Sequence, residues 1–368
     1  MGTYLKLFET QAKYEEARQN LILPNVSYCE DDNEVHYNPY VHDYSQDYLT
    51  FVALEDGTFT LTRNVSYSLD NGETWTSLAA NAASPTVTAG NKIMWKGTLT
   101  PTSSNGIGKF SATGNFNVQG NAMSLLFGDN FKGQTDLTGK DNAFYNLFYN
   151  NTKVVNAENL SLSATTLASY CYCDMFYGCT NLTTAPELPA ETLVGGCYRS
   201  MFQGCTSITT APALPATTLV NNCYWNMFQD CTSLVKAPKL PATTLTSSCY
   251  SQMFQGCTSL TTAPELPATT LTDYCYSSMF YGCTSLTTAP VLPAATLVNS
   301  CYNYMFKGCT NLNYIKAMFT TAPSASYTDA WVSGVSASGT FVKNSAATWD
   351  VTGNRGVPEG WTVETATA

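Results

Sequence analysis

Charge is what this sequence has least of. Asp, Glu, Lys and Arg make up 12% of its 368 residues, about half the usual share, so the surface must be mostly neutral and polar, drawn from abundant Thr, Ser, Asn and Tyr. The 17 basic residues form no cluster and the net charge is −10, which removes the electrostatic footprint of a nucleic-acid binder. No apolar run reaches the ~20 residues that cross a bilayer, so membrane insertion is not expected. The opening Met1 to Thr10 lacks the charged-then-apolar layout of a secretion signal, and Gly2 alone is a weak lipidation signal. Only two histidines occur. Neither is near the lone C-x-C of Cys171 and Cys173, so the four convergent ligands of a closed zinc site are missing. No nucleophile–base pair or paired carboxylates stand out either, and neither catalytic residues, cofactor nor metal is expected.

What the chain does have is a register of 26 residues. Cys171, Cys197, Cys223, Cys249, Cys275 and Cys301 form one series, Cys179, Cys205, Cys231, Cys257, Cys283 and Cys309 a second, and Met175, Met201, Met227, Met253, Met279 and Met305 a third. Such self-similarity marks units that bury their apolar faces only against neighbours. Within Leu266–Leu292, the residues Leu271, Cys275 and Met279 lie four apart and read as one inward, turn-rich or short helical face. Phe280, Cys283 and Leu286 continue it, and Gly282 releases the chain from the turn. The Thr-rich stretch after Leu286 suits one short strand per unit, closed by Pro290 and Pro293. An imperfect first unit, with Asn151 in place of Cys and two extra residues, reads as a capping repeat.

All but one of the 14 cysteines lie in this region. Small, inward-facing Cys behaves as a buried hydrophobe, and stacked columns about one strand spacing apart fall beyond good disulfide geometry. Reduced core ladders, represented by Cys197, Cys205, Cys249 and Cys257, are therefore favoured over disulfides or metal.

Because the units repeat, they can be compared with one another. Tyr172 and its five equivalents never change and read as packing, with the hydroxyl at an edge. Three other columns do change: Cys173, Arg199, Trp225, Ser251, Ser277, Asn303; Tyr177, Gln203, Gln229, Gln255, Tyr281, Lys307; and Tyr170, Gly196, Asn222, Ser248, Tyr274, Ser300. A core does not exchange Arg for Trp or Ser, so these columns are expected to face solvent or a partner. Trp225, Tyr281, Tyr304, Tyr177 and Tyr274 are the aromatic candidates for contact with a sugar or protein, and Gln203, Gln229 and Asn303 the polar ones.

Flanking segments differ in pattern. Residues 1–47 hold a short helical stretch from Thr10 to Gln19, then Cys29, His36 and His42 among acids and tyrosines, with too little apolar material for a core; they read as an attachment or docking segment. Residues 48–130 alternate with period two through Leu49–Leu54, Phe59–Thr62, Val65–Leu69, Thr86–Thr88, Lys92–Lys96, Phe110–Ala112 and Phe116–Val118, which predicts a β-sandwich. Inside them, Ser68-x-Asp70-x-Gly72-x-Thr74-Trp75 resembles the Asp-box hairpin of sialidases and other β-proteins, with Asp70, Gly72 and Trp75 in structural roles. Residues 131–317 are the repeats, and 318–368, with Trp331, Phe341 and Trp361, a β-rich cap expected to cover the last unit. The fold class expected is thus mixed β/α, a β-sandwich followed by a repeat solenoid of short strands and short helical turns.

The repeats, with M-F-x-G-C-T-x-L continued by T-A-P-x-L-P-A-T-T-L, resemble BspA-like leucine-rich-repeat proteins of gut Bacteroidetes and their phages over residues 143–363. That resemblance implies surface adhesion without a shared catalytic site. Tyr4–Glu9, Leu23–Ser27 and Asn33–Pro39 also resemble the start of Bacteroides phage structural proteins, including those of crAss-like phages. Together they imply a phage virion surface or tail-associated protein, its residues 1–47 contacting other virion proteins and its repeats displayed to a host-surface glycan or protein. A homo-oligomer would then be expected from virion symmetry. The alternatives are a Bacteroidetes cell-surface adhesin and a purely architectural decoration protein.

Overall fold

The computed structural model describes residues 42–366 in full and, before them, the backbone of two antiparallel strands, β1 (Val26–Cys29) and β2 (Glu34–Tyr37). The helical stretch Thr10–Gln19, the side chains of Cys29 and His36 and most of the attachment segment lie outside the described residues.

After Asp47 the alternating residues form β3 (Leu49–Ala53), β4 (Phe59–Leu61), β5 (Val65–Ser68), β6 (Thr76–Leu78), β7 (Lys92–Lys96), β8 (Phe110–Ala112) and β9 (Phe116–Asn121). Leu49, Phe51, Ala53, Ile93, Trp95, Phe116 and Val118 are buried, each two residues from the next along its strand, as a pleated strand with one covered face requires. Two further strands, β10 (Val154–Asn156) and β11 (Leu160–Ser161), come from the imperfect first unit and pair parallel to β9. The result is one mixed seven-stranded sheet, with the path β10-β9-β3-β7-β5-β6 and β11 on β9, and a separate β4-β8 pair.

The sandwich expected from the sequence is therefore corrected. Thr86–Thr88 contributes only the isolated bridge between Gly57 and Val87, and among the described residues no second sheet of matching size is built. Part of the cover comes from the first unit instead, where the Phe148 ring lies 5.8 Å from Phe51 and 6.0 Å from Phe110.

The larger correction concerns the repeats, which do not form a mixed β/α solenoid. Among the described residues the α-helix is limited to one turn, α1 (Ser124–Phe127), which precedes them, and no continuous strand occurs between Leu162 and Asn313. The rungs meet through single parallel bridges, from Asn156 to Thr184, Thr210, Lys236 and Thr262 in turn. Pro186, Pro189 and their equivalents remove the amide donors that a wider ladder would need.

Opposite the rungs, the segments read as helical are runs of consecutive turns. In the first clear repeat the amides of Cys171, Cys173, Met175, Tyr177 and Cys179 donate to the carbonyl three residues back. The amides between them, from Tyr170 to Gly178, donate instead to carbonyls of the next repeat, from Gly195 to Gln203. Every main-chain donor and acceptor from Tyr170 to Gly178 is thereby satisfied. The φ angle is positive at Tyr170 (54°), Asp174 (53°) and Gly178 (68°), and at the equivalent positions of later repeats. A helix needs negative φ throughout and bonds four residues back. The four-residue step of Leu271, Cys275 and Met279 is the step of serial turns.

The core is built from columns. Tyr172 and Tyr198 stack with centroids 5.7 Å apart and planes 7° apart, Phe176 and Phe202 at 5.7 Å and 9°, and both ladders continue through the later repeats. Tyr172 and its equivalents are at most 1% exposed, so their hydroxyls are interior and not at an edge. In the second cysteine series each thiol donates to the carbonyl of a phenylalanine in the preceding unit: Cys205 to Phe176 (3.0 Å), Cys257 to Phe228 (3.0 Å), Cys309 to Phe280 (2.9 Å).

The tail extends the stack where the sequence predicts a lid. Strands β12 (Tyr314–Ala317), β13 (Thr340–Lys343) and β14 (Thr362–Thr365) are parallel and successive. The amides of Tyr302, Tyr304, Phe306 and Gly308 donate to the carbonyls of Tyr327, Asp329, Trp331 and Ser333, so one more run of turns follows the last cysteine repeat. Trp331 and Phe341 are fully buried and Trp361 nearly so. The outermost strand, β14, is exposed at all four residues.

Candidate ligand-binding face

The hairpin between β5 and β6 carries the Asp-box residues. Ser68 Oγ–H donates to Asp70 Oδ1 (2.6 Å), and the Thr74 amide donates to both Asp70 oxygens (2.9 and 3.1 Å). The Ser68 and Thr74 bonds hold the Asp70 carboxyl down at about 2. Gly72 sits at φ 90°, its carbonyl accepts from Trp75 Nε1 (3.1 Å), and the Trp75 ring packs on Tyr48 at 4.8 Å beneath the Lys96 ammonium at 4.3 Å. Every contact is internal to the hairpin or its sheet, and the arrangement pins the turn.

The turn side of the repeats carries the changing columns. Here the structure places Tyr177, Gln203, Gln229, Gln255, Tyr281 and Lys307 in one row, each beside its equivalent in the next repeat. The main chain fixes its spacing, since the amides of Gly178, Gly204, Asp230, Gly256 and Gly282 donate to the carbonyls of Gln203, Gln229, Gln255, Tyr281 and Lys307 at 2.7–2.8 Å. All six side chains are half-buried. At one end Tyr177 stacks on Tyr149 of the first unit (4.8 Å, 14°); at the other the Lys307 ammonium lies 5.6 Å from the Tyr281 ring and 5.2 Å from Tyr304.

Trp225 stands in a neighbouring column, half-buried under the Arg199 guanidinium, 4.3 Å from its ring centroid. Tyr304 is 37% and Tyr274 45% exposed, both at positive φ. Tyr304 O–H donates to Asp329 (2.9 Å), Arg355 Nε donates to the same carboxylate (3.1 Å), and Asn303 Oδ1 accepts from the Asp329 amide (2.7 Å). The bonds from Tyr304 and Arg355 keep Asp329 below the usual carboxylate range. The candidates thus fall into two groups: Tyr281, Tyr304 and Asn303 near the tail, and Trp225, Gln203, Gln229 and Tyr177 earlier in the stack, with Tyr274 in a column of its own.

Not all of the changing columns face outward. Cys173, Ser251 and Ser277 are buried, Ser251 at 5% exposure with its hydroxyl donating to the Ser277 carbonyl (3.2 Å). Sequence comparison between units also misses Tyr149, displaced by the two inserted residues, and Asp329 and Arg355, which lie beyond the cysteine repeats.

Burial pushes the thiols of Cys249 and Cys301 up to about 11 and those of Cys171 and Cys309 to about 12, far from nucleophilic thiolates. The same cause raises Asp174, against a bond from the Cys173 thiol and the nearby Arg199 charge. Among the described residues no group of three or more His, Cys, Asp and Glu could hold a metal ion, and no helix is long and apolar enough to cross a membrane.

Comparison with known proteins agrees with the repeat geometry. No curated protein and no solved structure matches the chain. The family described as BspA type leucine rich repeat region matches in six copies over residues 140–262 and 226–327. That span exceeds half of the sequence, and the chain belongs to the BspA-type leucine-rich-repeat family.

Proposed function

We propose that the protein is an adhesin-type recognition module that presents the turn side of its repeats to a cell-surface ligand. One observation carries this reading. Inner columns of Cys, Tyr, Met and Phe keep the same residues in unit after unit, while the outward columns vary and collect Trp225, Tyr281, Tyr304, Tyr177 and Tyr274. A purely architectural stack has no reason to concentrate half-buried and exposed aromatics on one varying face. Display on a bacterial cell surface is the setting the family supports best. Display on a phage virion, through residues 1–47 and other virion proteins, uses the same face and rests on the resemblance of the opening residues alone.

The test is adhesion itself. Purified protein should bind intact host or bacterial cells, and changing Trp225 and Tyr281 together to Ala should weaken that binding at least tenfold with little change in melting temperature, because both columns also carry Ser or Gln. Equal binding by the double variant would move recognition to the sheet or the tail. Recovery of the chain in purified phage particles would select the virion setting.

A further inference from the structure

The stack is covered at one end and open at the other. At its head, β10 and β11 already pair with β9. A β-carbon on Gly106 would meet the carbonyls of Asn142 and Tyr145 in the first unit at 2.6 and 2.8 Å, so the turns there are covered too. At its tail, β14 has β13 on one side only. The amides of Thr362 and Ala366 donate inward, to Gly339 and Lys343. By the alternation of a parallel strand, Val363 and Thr365 turn their N–H and C=O groups outward, where no described residue bonds either amide.

The side chains end as abruptly as the main chain. Ile315, Phe341 and Val363 stand side by side across the three strands. Ile315 and Phe341 are fully buried while Val363 is 49% exposed, so the apolar column runs past its cover. Sheet edges are commonly guarded by Lys, Pro or a bulge; β14 has none of these and keeps an unbroken register over Thr362–Thr365. Such an edge is complementary to itself. Antiparallel pairing with a second copy about a two-fold axis gives the outward groups partners and closes after two chains, whereas the covered first unit offers no free edge for continuing the stack head to tail. Charge then selects the register. Setting Val363 opposite Thr365 of the second copy brings Glu364 opposite itself, and like charges directly opposed are unfavourable. Setting Val363 opposite itself places Glu364 against Thr362 and covers the exposed valine with its own copy.

We propose that two copies of the chain join tail to tail through β14, antiparallel, with Val363 on the two-fold axis, so that their two three-stranded sheets become one. The contact is a single pair of short strands, which puts it among small, reversible interfaces of micromolar strength. The dimer presents two turn sides together and so raises avidity for a repeated surface ligand; that consequence, unlike the pairing, rests on the recognition reading above.

Sedimentation equilibrium of the whole chain from about 1 to about 100 μM tests it. The mass should rise from that of the 39.9 kDa chain to twice that value and no further. Val363→Pro, which removes an outward amide, and Val363→Lys, which keeps every backbone bond of β14 and sets two charges face to face, should each weaken the dimer at least tenfold. The Lys variant should keep the circular dichroism and melting temperature of the unsubstituted monomer. Oxidation reads the register: Val363→Cys should crosslink two chains, since Cα atoms of a directly opposed pair lie about 5.5 Å apart, and Glu364→Cys should not. A monomer at every concentration, a mass that keeps growing beyond two chains, a dimer that survives Val363→Lys, or a crosslink at 364 in place of 363 would overturn the proposal.

Discussion

The ring of Tyr170 lies directly over Gly196 of the next repeat, where an added β-carbon would come within 2.4 Å of the ring. Tyr170 belongs to one of the changing columns, and Gly196 is the gap that lets its ring lie flat. The same coupling recurs elsewhere: Gly256 accommodates the Asp230 carboxyl, whose oxygen would meet a β-carbon at 2.2 Å.

Gly196→Ala should therefore destabilise the protein by about 1–3 kcal/mol, through the clash and through its φ of 63°. Adding Tyr170→Ala should recover part of that loss and leave only the backbone cost of about 1 kcal/mol. Urea unfolding of the four proteins of this cycle measures the coupling. Simple additivity would mean that the two residues do not meet.

The cysteine ladders should behave as interior thiols. Intact-mass alkylation of native protein should find them unreactive until denaturant is added. Cys249→Ser should cost about 1–3 kcal/mol, since its hydroxyl is buried without an acceptor. Cys257→Ser should cost less, because the Phe228 carbonyl that now accepts from the thiol can accept from the hydroxyl. Equal costs would remove any role for the thiol–carbonyl bonds.

Asp174 is held above the ordinary carboxylate range chiefly by burial. For a raised carboxyl the folded state keeps its proton longer than the unfolded chain does, so stability falls as pH rises through that window. Asp174→Asn should raise the melting temperature at neutral pH, with the gain fading below the unperturbed carboxylate range. Asn already occupies the equivalent position at Asn226, with the same positive φ. A gain independent of pH would exclude the buried charge as its cause.

Asp70 runs the opposite way. Its carboxyl is lowered to about 2 by the Ser68 and Thr74 bonds, so its contribution is complete above the ordinary carboxylate range and disappears as pH falls from about 4 to about 2. Hydrogen exchange of the Thr74 amide should accelerate over that window relative to its neighbours. In Asp70→Asn it should be fast already at neutral pH.

Much of this was legible in the sequence, and the failures have physical causes. The inner columns were readable because burial forces Cys, Tyr, Met and Phe to recur. The conformation carrying them was not. A helix and a run of turns both bring every fourth residue to one face, and Leu271, Cys275 and Met279 fit either. The positive φ values at Tyr274, Ser278 and Gly282 and the amides that bond three residues back distinguish them, and Tyr and Ser do not advertise that conformation as Gly or Asn would. β6 is not legible in the sequence, because Thr76 and Ser77 are exposed and give no alternation. At the face, columns were visible but depth was not. Ser251 sinks below its neighbours, and Arg199 covers Trp225 by reach alone.

The alternation of amides within and between repeats has a mechanical meaning. A load pulling the stack apart bears first on the amides that cross between repeats, while the turns inside each repeat are spared. Successive repeats should then give way one at a time. Each would release 26 residues, about 90 Å of extended chain. A molecule tethered between two surfaces in flow would in this way lengthen in steps, shedding force before its grip fails.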